Sequence, residues 1–293
     1  MTRAALLLLA VVACKGSSDA PAPHEGHQLA PPEAPAPPAP RPALECAPEA
    51  GDELIYLISH DDELWRFDPR LLDTDEDPLH RIGVLGCNIQ SHPFAMAIDR
   101  HGMALVDYQD GSTYFASILD AHCTYARHAP GMPKTFSATY VRSGDHDVLF
   151  ATPEHDAEIG TIAEAEPLVY SPVLPLRLPH ERSPELQGTA DGKLFGYFPE
   201  HDGGFVQEID ILSGLGTGAR MPISDKPVGE IGAWTFAQYA GTFYVFVAKP
   251  NGAHSWMYAV RRKDGANRFV RSIPFRAVGA GVSTCAPELE KAN

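Results

Sequence analysis

Short apolar segments alternate with polar turns along most of this chain, and no stretch of ten or more residues places its apolar positions at helical spacing. Five segments stand out: Phe94-Ala95-Met96-Ala97-Ile98, Phe136-Ser137-Ala138-Thr139-Tyr140, Leu186-Gln187-Gly188-Thr189-Ala190, Trp234-Thr235-Phe236-Ala237-Gln238 and Val282-Ser283-Thr284-Cys285-Ala286. Their starts fall 42 to 50 residues apart. A repeat of that length, built from four short strands, is the signature of propeller blades.

Three more strands follow each of the first four anchors. A second strand comes after a tight turn (Met103 to Val106, Val148 to Ala151, Leu194 to Phe198, Phe243 to Ala248), and a third follows a polar hairpin (Tyr114 to Leu119, Ile159 to Ala163, Phe205 to Ile209, Trp256 to Val260). Fourth strands are less apolar, as peripheral strands should be: Thr124 to His128, Leu168 to Leu176, Thr217 to Pro222 and Phe269 to Pro274. Asp110-Gly111, Asp191-Gly192 and Asp264-Gly265 supply the turn chemistry between them.

The two ends complete one another. Leu54 to Ile58, Leu64 to Phe67 and Arg81 to Leu85 read as second, third and fourth strands without a first, whereas Gly279 to Ala286 reads as a first strand with no blade after it. Placing the C-terminal strand in the N-terminal blade closes a ring and removes exposed sheet edges. The expected fold is therefore all-β: a propeller of five blades of four antiparallel strands. A six-bladed ring with one degenerate blade and an open sandwich are the rivals.

The N-terminus predicts an address. Met1-Thr2-Arg3, an apolar run from Ala4 to Val12 and Ala13-Cys14 form a secretory signal ending in a lipobox, with Cys14 lipidated as the mature first residue. About nine apolar residues fall far short of the roughly 20 that span a bilayer. Acyl chains on Cys14 would be the membrane anchor, and Lys15 rather than Asp after it favours the outer membrane. From Lys15 to Leu44 the chain is rich in Pro and Ala and has nothing with which to build a core. At about 3.1 Å per residue it forms a spacer of at most ~90 Å. The expected organisation is a signal peptide at 1–13, the lipidated cysteine and linker at 14–45, the propeller at 46–287 and a tail at 288–293.

Composition changes this picture in two ways. The net charge is -15, with Lys and Arg scattered, so nucleic acid is excluded as a partner. Four cysteines remain after Cys14, an even number suited to an oxidising compartment. Ring closure brings Cys46 beside Cys285, which leaves Cys87 with Cys123 by elimination, although strand counting puts that second pair at opposite ends of neighbouring outer strands.

The lipobox, the Pro-rich spacer, Phe94 to Arg100, Glu185 to Gly196 and Val278 to Pro287 together resemble a group of propeller-like lipoproteins from myxobacteria and relatives. The resemblance implies the architecture and an envelope location. It implies no activity.

Candidate chemistry gathers at the second-to-third-strand hairpins and the entries to the first strands, which share one face of a propeller. The hairpins bring His60-Asp61-Asp62, Glu154-His155-Asp156 and Glu200-His201-Asp202, and the first-strand entries bring Glu185. From these, His60, Asp61, Glu154, His155, Asp156, Glu185, His201 and Asp202 are the expected ligand-binding residues. Imidazole beside carboxylate suits a divalent transition metal, and carboxylates alone suit calcium. Asp73-Thr74-Asp75-Glu76-Asp77 resembles the start of a calcium loop, but Pro78 stands where that loop needs Gly. No cofactor is required by any motif, and no catalytic residue is expected: nucleophile elbow, phosphate loop, Cys-x-x-Cys and His-Glu-x-x-His are all absent.

The reading that results is a lipid-anchored, monomeric envelope propeller acting as a binding or scaffolding module for a protein or polysaccharide partner. One alternative is a glycoside hydrolase with its site at the central funnel. It would need two carboxylates about 5 to 10 Å apart there, and Glu185, with Glu230 upstream of another strand, gives no convincing pair. The other alternative is a calcium- or metal-stabilised structural lipoprotein.

Overall fold

The computed structural model describes Cys46 and residues 54–178, 182–201, 203–223 and 229–288. Cys14, the linker and Asp202 lie outside the described residues.

Twenty strands follow in order. The first blade holds β1 (Ile55–Ser59), β2 (Glu63–Phe67) and β3 (Leu79–Val84), and the second holds β4 (Pro93–Ile98), β5 (Met103–Tyr108), β6 (Thr113–Ser117) and β7 (Cys123–Ala126). The third comprises β8 (Phe136–Ser143), β9 (His146–Pro153), β10 (Glu158–Ala163) and β11 (Val169–Pro175), and the fourth β12 (Glu185–Gly188), β13 (Leu194–Glu200), β14 (Gly203–Ile209) and β15 (Gly216–Pro222). The fifth has β16 (Ala233–Tyr239), β17 (Thr242–Ala248), β18 (Ser255–Arg261) and β19 (Asn267–Ile273), after which β20 (Ala277–Gly281) returns to the first. Five four-stranded sheets result, the first in the order β20-β1-β2-β3, and every pairing in them is antiparallel. The inner strands β20, β4, β8, β12 and β16 each touch the next and close the ring. This is a five-bladed β-propeller.

Packing explains the closure. Each pair of neighbouring blades shares one apolar cluster: Leu57, Phe67 and Phe246 between the first and fifth, for example, and Tyr197, Phe236 and Phe243 between the fourth and fifth. Crowding at the axis selects small inner-strand residues. A Cβ on Gly188 would lie 2.0 Å from the Tyr140 carbonyl oxygen of the adjacent inner strand. The inner edges of these strands have no further strand to pair with, so neighbouring side chains accept from their N–H groups. Leu186 N donates to Ser137 Oγ at 2.8 Å, Gly188 N to Thr139 Oγ1 at 2.8 Å, Phe136 N to Asp107 Oδ2 at 3.1 Å and Ala277 N to Ser255 Oγ at 3.0 Å.

In four blades a tight turn joins the inner strand to the next, with Gly102, Gly144, Gly192 and Gly241 at positive φ, where glycine is favoured. The first blade has no such connection, because its two strands come from opposite ends of the domain. The Cys46–Cys285 disulfide stands in its place, with Cα atoms 6.0 Å apart and a sequence separation of 239. Cys87 bonds Cys123 across 36 residues, linking the end of the first blade to the outer strand of the second. Strand counting puts these two apart. Twist of roughly 20–25° per strand accumulates across a blade and brings the outer ends of neighbouring blades together.

The closing strand is the one place where the sequence reading was out of register. It runs over Ala277–Gly281, with Tyr56 opposite Gly281 and Ser59 opposite Ala277, rather than over 279–286. Beyond Gly281 the chain leaves the sheet, because Ser283 takes it into a turn: its Oγ accepts from Cys285 N and its carbonyl from Ala286 N.

Candidate functional site

Hairpins between second and third strands and the entries to the inner strands meet at one mouth of the ring, where they surround a cavity of about 480 Å³. All five blades contribute to its wall. His60 comes from the β1–β2 hairpin, Pro93, Phe94 and Gln109 from the second blade, Lys134, Thr135, Ser137, Glu154 and His155 from the third, Ser183, Pro184 and Glu185 from the fourth, Gly232, Ala233 and Trp234 from the fifth, and Arg276 and Val278 from the closing strand and its entry.

Local bonds fix this wall. His60 and His92 stack with ring centroids 3.9 Å apart; His92 Nδ1 lies 3.0 Å from the His60 carbonyl oxygen, and His60 N donates to the Arg276 carbonyl at 2.8 Å. Thr135 Oγ1 donates to Glu154 Oε2 at 2.7 Å, and His155 Nε2 is 3.6 Å from the same oxygen. Arg182 Nη1 donates to the Ile231 carbonyl, and its guanidinium lies over the Trp234 ring, 5.4 Å from the centroid. Arg276 Nη2 donates to the Gly232 carbonyl at 2.8 Å and Nη1 to that of Lys249 at 3.4 Å.

The charge of the wall differs from that of the whole protein. Burial pushes the Glu185 carboxyl well above the ordinary carboxylate range, with the Ser137 and Thr235 hydroxyls beside it offsetting part of the effect, which favours its neutral form. Glu185 is only 4% exposed, and its Oε1 has no hydrogen-bond partner. Glu154 is engaged by Thr135 and His155. Among the described residues neither lining cation has a carboxylate partner: Lys134 is exposed, and Arg276 is half-buried and bonded to backbone carbonyls, its Nε lacking a partner there. Burial lowers the Arg276 guanidinium from its ordinary value. The entries to four of the five inner strands thus carry a basic side chain, His92, Lys134, Arg182 or Arg276, and the fifth carries Trp234.

Of the residues expected from sequence, the structure brings His60, Glu154, His155 and Glu185 together in the cavity wall. Asp61 and Asp156 are exposed on the hairpin tips outside that wall, as is His201. Sequence reasoning missed Lys134, Arg276 and Trp234. Their signal is positional: each sits within two residues of an inner-strand start. Among the described residues no group of three or more His, Cys, Asp and Glu side chains is placed to hold a metal ion. In the acidic segment 73–77, Asp77 Oδ1 accepts from Leu79 N at 3.2 Å and lies 3.4 Å from Arg271 Nη1 of the fifth blade.

The opposite mouth is covered by residues 283–288, which touch every other blade. Thr284 Oγ1 donates to Asp147 Oδ2 at 2.7 Å and accepts from Arg100 Nη2 at 3.4 Å, while Arg100 and Asp147 form a buried ion pair. Glu288 binds Arg262 at 2.8 Å and accepts from Ala190 N, and Ala240 N donates to the Pro287 carbonyl at 2.7 Å. A segment that belongs to the first blade and bonds to the other four must cross the axis. The cavity is consequently a funnel with its lower end closed.

No family model matches this chain, and no curated protein matches it. Solved structures do. A chain of a nidogen/laminin complex is 10% identical with a TM-score of 0.48, the match covering 78% of this chain and 97% of that one. Virginiamycin B lyase from Staphylococcus aureus is 15% identical with a TM-score of 0.38, over 75% and 69% of the two chains. A protein of unknown function from Bacteroides caccae is 12% identical with a TM-score of 0.40, over 75% and 73%. Identities this low transfer no function.

Proposed function

We propose that this protein is a lipid-anchored cell-envelope propeller of the myxobacterial type outlined above, tethered through Cys14 and a Pro-rich spacer, that binds a protein or glycan partner at its funnel. The observation that carries the reading is the funnel itself. It is a concave site of a size usual for ligand pockets, built by all five blades and lined by rings and by two cations that have no carboxylate partner among the described residues. The two disulfides suit an oxidising, extracytoplasmic setting. Hydrolase chemistry is the weaker reading, because Glu185 is almost wholly buried and Glu154 is already held by Thr135 and His155.

Site-specific photo-crosslinking tests this. A crosslinking residue at position 134, in the funnel wall, should capture a defined partner in intact cells, whereas one at position 212, on an exposed turn of the opposite face, should not. Equal capture from both positions, or capture only from 212, contradicts the proposal.

A further inference from the structure

The funnel on which the binding proposal rests also carries information about what enters it. Its lower end is closed by residues 283–288, so a polymer cannot thread through, and a chain end or a small molecule suits it. Its wall is net positive although the protein is strongly acidic. Burial favours the neutral form of Glu185, so Glu154, hydrogen-bonded by Thr135, is the one carboxylate of the wall set against the two cations Lys134 and Arg276. Further out the sign reverses, since Asp61, Asp110 and Asp156 occupy the exposed hairpin tips. An inner positive wall inside an outer negative rim suits a ligand charged at its tip and neutral behind it. Screening over about 8–10 Å at physiological salt keeps the two zones distinct.

The remaining surface points to sugar rather than peptide. One way for a peptide to dock is to add a strand to a free sheet edge. Here Leu186, Gly188, Phe136 and Ala277 on the inner strands already donate to side chains of neighbouring blades, and so have no N–H to offer. What the wall presents instead is flat rings, Phe94, Trp234 and His60, beside Gln109 and the Ser and Thr hydroxyls. Amphipathic rings of this kind suit the faces of a pyranose.

We propose that the funnel receives the end of a glycan whose terminal residue is an acidic sugar, its carboxylate held by Arg276 and Lys134 and the neutral sugar behind it packed against Trp234 and His60. The Arg276 guanidinium, held in place by the Gly232 and Lys249 carbonyls, provides a fixed positive charge, and the flexible lysine provides a mobile one.

The test uses four probes titrated into the whole protein by calorimetry and tryptophan fluorescence: glucuronosyl-glucose, its carboxyl-reduced counterpart, tri-galacturonate and an acetylated tripeptide with a free C-terminal carboxylate. The acidic disaccharide should bind at least ten-fold more tightly than the reduced disaccharide, the trimer of acids and the peptide. Lys134→Ala should remove most of that preference and Arg276→Gln all of it, with Lys134→Ala leaving the melting temperature unchanged; because Arg276 also anchors two backbone carbonyls, its variant counts only if its melt stays cooperative, and the lysine variant decides otherwise. Equal binding of acidic and reduced disaccharides, tighter binding of the peptide, or no saturable binding of any probe at millimolar concentration overturns the inference. None of those results touches the binding proposal itself, which crosslinking from position 134 decides separately.

Discussion

Removing the covalent staple of the first blade should cost more than removing any other single link in this protein. Cys46 and Cys285 close a loop with a separation of 239 residues, and in the chain-entropy account a cross-link over so long a loop is worth about 5 kcal/mol. A Cys46→Ala, Cys285→Ala double variant keeps β20 in place, so it should lose about that amount and no more. For a domain of this size each kcal/mol moves the midpoint by about 2–4 °C, which predicts a drop of roughly 10–20 °C. Truncation after Arg276 removes more. Val278 and Val282 leave the core at about 1.5–3 kcal/mol each, the β1 edge is stripped of its partner, and Glu288 and Thr284 abandon Arg262, Arg100 and Asp147. Added to the disulfide, the loss reaches about 8–11 kcal/mol, against the 5–15 kcal/mol that typically holds a domain together. Circular dichroism melts with size-exclusion chromatography would measure both. The double variant should melt cooperatively at lower temperature and the truncated chain should aggregate or fail to show a transition; a truncated chain that melts like the intact domain would refute the closure.

Three further outcomes follow from individual residues. Asp147→Ala leaves Arg100 buried and unpaired and should cost about 3–5 kcal/mol in denaturant unfolding, whereas substituting the exposed pair Arg261–Asp264 should leave the unfolding midpoint nearly unchanged. Burial raises the Glu185 pKa, so its favourable contribution is present below its unfolded-state pKa and is lost as pH rises through the raised folded-state value. Glu185→Gln should therefore melt like the parent at pH 5 and above it at pH 8, and equal melting at both would contradict the burial argument. Cys14→Ser should abolish fatty-acid labelling and detergent partitioning; labelling at the parental level would remove the anchor from the account.

Most of the architecture was legible because a propeller writes its period into the chain. The anchors at Phe94, Phe136, Leu186 and Trp234 fall on β4, β8, β12 and β16, and the turn residues Asp110-Gly111 and Asp191-Gly192 fall between strands. The closing strand was harder. Val282 to Ala286 looks like the other anchors by residue type, but the Ser283 side chain bends the chain there, and register is decided by pairing with β1, which no local pattern records. The site was half legible. Acids and histidines at hairpins could be read as candidates, yet which of them face the axis depends on how far each hairpin leans inward, and so His155 enters the wall while Asp156 beside it does not. The burial that raises the Glu185 pKa and the backbone carbonyls that hold Arg276 come from neighbouring blades, and these are invisible until the ring is closed.

The account turns on the funnel as the working surface. Hydrogen–deuterium exchange of the full protein, with and without isolated envelopes of its native host, measures this most directly. Protection should appear together in four separate segments, 91–94, 132–137, 183–186 and 231–235, that meet only at the open mouth. Protection confined to the outer strands or to the turns around Leu119 and Leu212 would contradict it.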